Sequence, residues 1–260
     1  MKNLVMLGIG ILYSVTLASA QEYKVKFGNT KDKKVTIEMS SSEVKIEGHN
    51  SDEVLIQTTS AMEVVPERAK GLKPIYYNAV DNSGIGLAVT TEGGGLKIEK
   101  ATRKAMKYTV KLPKKVALLY NQTNWQGGSD ITISNMEGDL EIKTNNSGIN
   151  LVNVMGPVVA NSISGEIKVA FSGLSQEKPT AISTVSGVID ITMPAVTKSN
   201  LKLRSINGEM YTDFDLGIKN TKDGLSRVGT GNNIESAING GGVEMVLHTV
   251  SSDIYIRKQK

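Results

Sequence analysis

Cysteine is absent from all 260 residues, histidine occurs twice and proline six times. Without cysteine there can be no disulfide staple, zinc-thiolate site or thiol nucleophile. The residue that carries the lipid of a lipoprotein is missing too, so lipid anchoring at a mature N-terminus is not expected. His49 and His248 are the whole histidine complement. A catalytic triad or a zinc cluster has nothing else to draw on, and both rings are expected to be surface or edge residues. Helical periodicity is hard to find. The chain has 26 glycines. Val, Ile, Thr and Ser fall in short alternating runs bounded by Gly, Asn, Asp and Ser, which is the signature of strands and turns.

The first 20 residues read as an export signal. Lys2 gives a positive start, Leu4 to Leu17 is an apolar run of 14 residues, and Ala18-Ser19-Ala20 gives a small-x-small cleavage pattern. A membrane anchor is the competing reading. The run falls short of the roughly 20 residues that a bilayer core requires, and no basic stop-transfer cluster follows. Residues 1–20 are therefore expected to be a signal peptide and Gln21 the new N-terminus, with no transmembrane segment after cleavage.

Net charge is +4 at pH 7. The densest basic stretch, Lys100 to Lys115, holds Arg103, Lys104, Lys107, Lys111, Lys114 and Lys115. It lacks the interleaved aromatic rings of a nucleic-acid surface, so it reads as a solvated face and no nucleic-acid partner is expected.

A five-residue unit recurs: a small or turn-forming residue, any residue, aliphatic, polar, aliphatic. It appears as Ser129-Asp130-Ile131-Thr132-Ile133, Gly138-Asp139-Leu140-Glu141-Ile142, Ser147-Gly148-Ile149-Asn150-Leu151, Gly156-Pro157-Val158-Val159-Ala160 and Gly165-Glu166-Ile167-Lys168-Val169. The anchors Ile131, Leu140, Ile149, Val158 and Ile167 are nine residues apart each time. Wider-spaced copies follow at Gly187–Ile191, Gly208–Thr212, Gly241–Met245 and Ser252–Ile256. Looser ones precede at Val35-Thr36-Ile37, Val44-Lys45-Ile46 and Leu96-Lys97-Ile98.

Alternation puts both aliphatics of a unit on one face and the middle residue on the other. A strand of about 17 Å cannot bury that face alone and must stack on its copies. Two all-β architectures fit. A β-sandwich shows strands at a drifting spacing of about 8 to 12 residues. A β-solenoid shows a fixed step, because each coil lies in register on the last. The unvarying nine favours the solenoid, with two units per coil of about 18 residues and coils roughly 4.8 Å apart. The wider steps are read as coils with longer loops, such as Leu174 to Pro179 and Leu216 to Asn232. A transmembrane β-barrel fits poorly. Its strands need about ten residues, and Thr132, Glu141, Asn150 and Lys168 make a poor lipid-facing row.

The expected organisation is a signal peptide (1–20), an N-terminal β region (21–122) and a repeat region (123–260), with 21–260 forming one continuous body. Tyr23 to Thr59 reads as short strands of a twisted antiparallel sheet that caps the stack. An insertion at 61–83 carries a helical turn from Pro66 to Lys70 that Gly71 ends.

The run Tyr108-Thr109-Val110-Lys111-Leu112-Pro113-Lys114, followed by Ile131-Thr132-Ile133-Ser134-Asn135-Met136-Glu137-Gly138-Asp139-Leu140-Glu141-Ile142, resembles the "putative adhesin" domain of bacterial exported proteins, a family without an assigned function. Asn146 to Ile149, Val154 to Val158 and Ser164 to Ile167 share the likeness. The insertion from Pro66 to Leu72, with Asp81-Asn82-Ser83-Gly84-Ile85-Gly86-Leu87, is similar to Bacteroidetes-type members. The resemblance covers most of the chain after residue 20. It implies a right-handed parallel β-helix-like fold and an envelope location: periplasm, outer-membrane-associated or cell surface. It brings no catalytic residues.

The residues agree with that silence. A carbohydrate-active β-helix enzyme needs carboxylates on one outer face. The outward columns read Thr132, Asn150 and Lys168 on one side, and Glu141 and Val159 on the other. Asp190 and Glu244 lie on later coils, separated by Tyr211. A calcium-binding nonapeptide row fails, because Asp130 and Asp139 are continued by Gly148, Pro157 and Glu166. Asp213-Phe214-Asp215 lacks the other EF-hand positions and reads as a solvated turn. Gly84-Ile85-Gly86 lacks the context of a nucleotide loop and reads as strand entry. Tyr76, Tyr77 and Trp125 are candidates for a sugar-binding platform, against a competing role in packing the insertion.

No enzyme activity, cofactor or metal is expected. The leading expectation is a non-enzymatic exported module that binds a glycan or an envelope or cell-surface protein. A self-associating structural protein and a polysaccharide-processing enzyme are the alternatives. The register makes a sharp prediction. Ile149→Asp and Ile167→Asp each unfold the protein in a urea titration, whereas Asn150→Asp and Lys168→Asp leave the midpoint nearly unchanged. A reversed tolerance contradicts the register.

Overall fold

The computed structural model describes residues 21–27, 33–62, 66–72, 79–125, 129–217 and 233–260. The expected signal peptide, Tyr76 and Tyr77, and most of the expected loop at 216–232 lie outside the described residues. In chain order the strands are β1 (Gln21–Lys26), β2 (Lys34–Met39), β3 (Glu43–His49), β4 (Glu53–Thr58), β5 (Leu87–Glu92), β6 (Gly95–Lys100), β7 (Lys107–Pro113), β8 (Ala117–Gln122), β9 (Ile131–Ser134) and β10 (Leu140–Thr144). They continue as β11 (Ile149–Val154), β12 (Val158–Ser162), β13 (Ile167–Phe171), β14 (Thr180–Thr184), β15 (Ile189–Met193), β16 (Ser199–Ser205), β17 (Met210–Thr212), β18 (Asn233–Ile238), β19 (Glu244–Thr249) and β20 (Ile254–Lys258). The only helix among the described residues is a 3-10 turn, Glu67–Ala69, at the expected place. Pro66 precedes it, and Gly71 follows with φ +82°.

Two ten-stranded sheets result. The first runs β1-β4-β7-β3-β9-β11-β13-β15-β20-β17, and the second β18-β16-β19-β14-β12-β10-β8-β2-β6-β5. Along most of the chain, successive strands alternate between the sheets. Their inward aliphatics, from Val35 and Ile37 to Ile254 and Ile256, merge into one buried core. The predicted anchors are direct neighbours: Ile131 pairs with Ile149 and Ile149 with Ile167 in the first sheet, and Leu140 pairs with Val158 in the second. An 18-residue step therefore separates stacked copies. These pairings are parallel, whereas the sheets of a sandwich are typically antiparallel.

The N-terminal region departs from the expected antiparallel cap. β2 lies between β6 and β8, and β3 between β7 and β9, all in parallel. Antiparallel pairing there is confined to β1 with β4, β4 with β7, and β5 with β6. The physical reason is legible in hindsight. Val35 and Val44 are nine residues apart like the later anchors, so this segment can enter the stack in register rather than cap it.

The two edges where the chain passes between sheets differ. Passage from the second sheet to the first keeps the nine-residue step in six places. The paired inward residues are Val35 to Val44, Leu140 to Ile149, Val158 to Ile167, Thr180 to Ile189, Leu201 to Met210 and Met245 to Ile254. Passage back is longer after Val169, with Leu174 to Pro179 looping out before β14.

A shared turn chemistry explains the tight edge. At the end of successive strands, Thr144, Ser162, Thr184, Thr249 and Ser205 are buried hydroxyl residues. Ser162 donates to the carbonyl of Ser147, Thr184 to that of Gly165, Thr249 to that of Gly187 and Ser205 to that of Ser252, at 2.9–3.4 Å. Each hydroxyl thus satisfies a turn carbonyl of the neighbouring strand pair, which burial would otherwise leave without water. Backbone N–H groups climb the same edge: Ser164 to Asn145, Ser186 to Ile163, Ser251 to Val185 and Asn207 to Val250, at 2.9–3.1 Å.

Such close stacking leaves no room for a side chain at the turn. A Cβ on Gly187 would lie 2.1 Å from the carbonyl oxygen of Gly165, and one on Gly208 would lie 2.0 Å from that of Ser252. The obstacle in each case is backbone, which cannot swing aside. Gly187→Ala is expected to lower unfolding free energy by about 1–3 kcal/mol, the usual cost of overpacking. Urea denaturation checks it, and an unchanged midpoint would contradict this stacking.

Candidate ligand face

The outward residues of the first sheet form columns because parallel strands are in register. One column runs Lys45, Thr132, Asn150, Lys168, Asp190, Tyr255 and Tyr211. The predicted row Thr132, Asn150, Lys168 is its centre. In the second sheet Glu141 and Val159 are neighbours, as expected. Asp190 belongs to the first sheet, in the column of Tyr211, and Glu244 to the second. Alternation of strands between sheets separates them.

Several carboxylates along these faces are engaged. Glu141 meets Lys143 at 2.6 Å, Glu166 meets Lys168 at 2.9 Å and Glu244 meets Lys202 at 2.6 Å. These pairs raise the affinity of Lys168 and Lys202 for their protons, chiefly through the hydrogen bonds that the two ammonium groups donate to Glu166 and Glu244. Asp130 accepts the N–H of Gly148 at 2.7 Å, while Asp139 meets Lys178 at the entry to β10. The two aspartates of the failed calcium row thus stand at strand entries in different sheets. Asp215 accepts the N–H of Gly217 at 2.8 Å, as in a turn, whereas Asp213 accepts the N–H of Lys258 on β20 at 2.8 Å. Among the described residues no three His, Cys, Asp or Glu side chains gather in metal-ligating reach. None of the described helices is long and apolar enough to cross a membrane.

Four lysines of the basic stretch likewise have partners within the fold. Lys107 pairs with Glu43 at 3.0 Å and Lys114 with Glu137 at 2.6 Å, and Lys104 donates to the carbonyl of Ala61. Lys100 donates to the carbonyl of Ser40 at 2.7 Å, and burial pushes its ammonium down to about 8. His49 locks the turn between β3 and β4: its Nδ1 accepts from the Ser51 N–H, leaving Nε2–H to donate to the Glu53 carbonyl. His248 lies in the outward row of β19 between Ser183 and Arg204. Gly84-Ile85-Gly86 leads into β5. The Asp81 carboxylate receives the N–H groups of Ser83, Gly84 and Gly86, so this is strand entry, as expected.

Two aromatic residues converge away from the expected platform of Tyr76, Tyr77 and Trp125. Trp125 is exposed and stands apart as a loop residue. Tyr211 and Tyr255 occupy one column at the end of the first sheet. Column neighbours lie about 4.8 Å apart, so the rings stack: their centroids are 5.1 Å apart and the planes 10° from parallel. The Arg257 guanidinium lies over the Tyr255 ring, 5.2 Å from its centroid, and reaches Asp190 at 3.2 Å. The Tyr255 hydroxyl donates to Asp253 at 3.0 Å, which raises its pKa. β17 is the edge strand, and Tyr211 is 51% exposed. Thr192, Tyr211, Thr212, Asp213, Arg257 and Lys258 are among the residues around a hollow of about 550 Å³ there. The units Gly208–Thr212 and Ser252–Ile256 both carry Tyr at the central outward position. That coincidence was available in the sequence and is the signal that would have found the site.

A second hollow, about 710 Å³, follows the looser edge between Lys33, Lys115, Glu137, Met155 and Leu174. Its charges are of both signs, and Glu137 is already paired with Lys114.

A family model described as Toastrack DUF4097 matches residues 13–257. Among solved structures, the chain is similar to a "putative cell adhesion protein" from Clostridium sporogenes, at 13% identity and a TM-score of 0.47, covering 93% of this chain and 99% of that one. It is also similar to a "putative adhesin" from Bacteroides fragilis, at 11% identity and a TM-score of 0.31, covering 93% and 97%. A "putative lipid binding protein" from Parabacteroides distasonis matches at 12% identity and a TM-score of 0.27, over 93% and 97%. No curated protein matches. The family match spans nearly all of the chain, repeats and N-terminal region alike, and the chain belongs to the Toastrack DUF4097 family.

Proposed function

We propose that this chain is an exported, non-enzymatic, adhesin-like protein of the bacterial envelope or surface, whose role is to present a binding face on a stiff scaffold. The scaffold is a right-handed, two-sided β-solenoid running as one body from residue 21 to 260. Parallel pairing with alternation between sheets supports that reading, and the right hand is the one that parallel crossover connections take. Lys2, the apolar run to Leu17 and Ala18-Ser19-Ala20 support export.

One observation carries the binding role. The Tyr211–Tyr255–Arg257 stack opens onto a hollow at the end of the first sheet, while Glu141, Glu166 and Glu244 on the outer faces are held in ion pairs. A rigid surface with exposed aromatic rings and a few polar groups is how ligand sites are usually built. The test is co-sedimentation of the purified protein with intact bacterial envelopes. Saturable binding without release of reducing sugar is the expected result. A protein that stays in the supernatant, or that liberates sugar from the envelope, contradicts the proposal.

A further inference from the structure

We infer that the Tyr211 platform takes an acidic saccharide, a chain of pyranose rings bearing carboxylates. The inference rests on the binding role proposed above and names the ligand chemistry of the same site.

Three features of the hollow point to it. First, an aromatic face is open. Tyr255 is covered on one side by the Arg257 guanidinium and on the other by Tyr211. Tyr211 lies at the sheet edge and is half exposed. The π face of tyrosine is electron-rich, and the C–H face of a pyranose, weakly positive and flat, packs on it. Second, cations surround the hollow. Arg257, Lys258 and Lys260 all line it, with Asp213 as the one lining acid. Asp190 offsets part of the Arg257 charge, so the balance remains positive. Guanidinium and ammonium groups so placed suit carboxylates. Third, hydroxyl partners are close by. Thr192, Thr212 and Asp213 line the same hollow and suit the hydroxyls of a sugar.

The mixture discriminates among anions. A single-stranded DNA also stacks on aromatics and seeks cations, and like a polyuronate it carries one charge per unit, but its deoxyribose-phosphate backbone brings no hydroxyls to meet Thr192, Thr212 and Asp213. A polyuronate, with one carboxylate and several hydroxyls per ring, matches both the cations and the acceptors. One sugar then packs on Tyr211, while carboxylates of that ring and its neighbours meet Arg257, Lys258 and Lys260.

Affinity electrophoresis of the whole protein through gels containing polygalacturonate tests this directly. A gel with carboxyl-reduced polymer and competition by oligo(dT) are the comparisons. The expected result is retardation by polygalacturonate, at least about tenfold weaker with the reduced polymer, and no effective competition by oligo(dT). Tyr211→Ala and Arg257→Met each weaken it about tenfold, the scale of a lost aromatic or charged anchor. Tyr211→Phe retains most of the binding. Val185→Ser, on the tight edge, retains all of it. Circular dichroism checks that each variant is folded. Equal retardation by both polymers, insensitivity to Tyr211→Ala and Arg257→Met, or preference for oligo(dT) overturns the inference. Envelope binding without polygalacturonate binding overturns the ligand class and leaves the binding role standing. Loss of both overturns the two together.

Discussion

Everything in this molecule depends on the close approach of successive turns at one edge. Strands of five or six residues are too short to hold a sheet alone, and they gain stability only as neighbours about 4.8 Å apart. At that spacing the carbonyl of one turn lies where the next turn would place its Cβ, so Gly165, Gly187 and Gly208 stand there. The same proximity lets buried Ser162, Thr184, Thr249 and Ser205 satisfy the carbonyls of adjacent coils. An insertion at one of the six nine-residue turns would break glycine contact, hydroxyl bond and backbone ladder together. Longer passages occur on this edge only from β6 to β7 and from β8 to β9, and on the opposite edge Leu174 to Pro179 projects.

The order of the coils adds a second constraint. After β14 and β15 the chain passes over one position to form β16 and β17, then returns to fill the gap with β19 and β20. The N-terminal region mirrors this arrangement: β2 and β3 lie inside β6 and β7. The first and last parallel strands of the chain are thereby held on both sides. The outermost positions pass to antiparallel β1, β5 and β18 and to the three-residue β17. Short, charged or antiparallel edge strands discourage edge-to-edge pairing, and the ion pairs of Lys24 and Lys26 on β1 belong to that pattern.

Much of the fold was legible because its period is short and local. The nine-residue spacing of Ile131, Leu140, Ile149, Val158 and Ile167 gave strand length, alternation and the 18-residue step between stacked copies. The order of coils was not legible, since β19 and β16 carry the same kind of unit and local pattern does not say which lies beside β14. The parallel placement of β2 and β3 was missed for a related reason. Their nine-residue spacing was present, but they stand as looser copies of the unit, which suited a twisted antiparallel sheet as well as a stack. The site was half legible. The outward row Thr132, Asn150 and Lys168 was legible from alternation, whereas the aromatic candidates in the sequence were Tyr76, Tyr77 and Trp125, not Tyr211 and Tyr255. Those two are 44 residues apart in sequence, and only the coil order makes them neighbours.

The site is thus a product of the topology: without the returning β20, Tyr255 would not stack on Tyr211, nor would Arg257 reach Asp190. The coil order is therefore the claim to test first, and the absence of native cysteine makes a clean test available. Ser183 is in register with His248, and His248 in turn with Arg204. Ser183→Cys with His248→Cys should form a disulfide on mild oxidation, since adjacent strands bring Cα atoms within the roughly 4.4–6.8 Å that a disulfide spans. Ser183→Cys with Arg204→Cys, two strands apart, should not. Cross-linking of the second pair in place of the first would contradict the returning strand, and with it the stacked tyrosines.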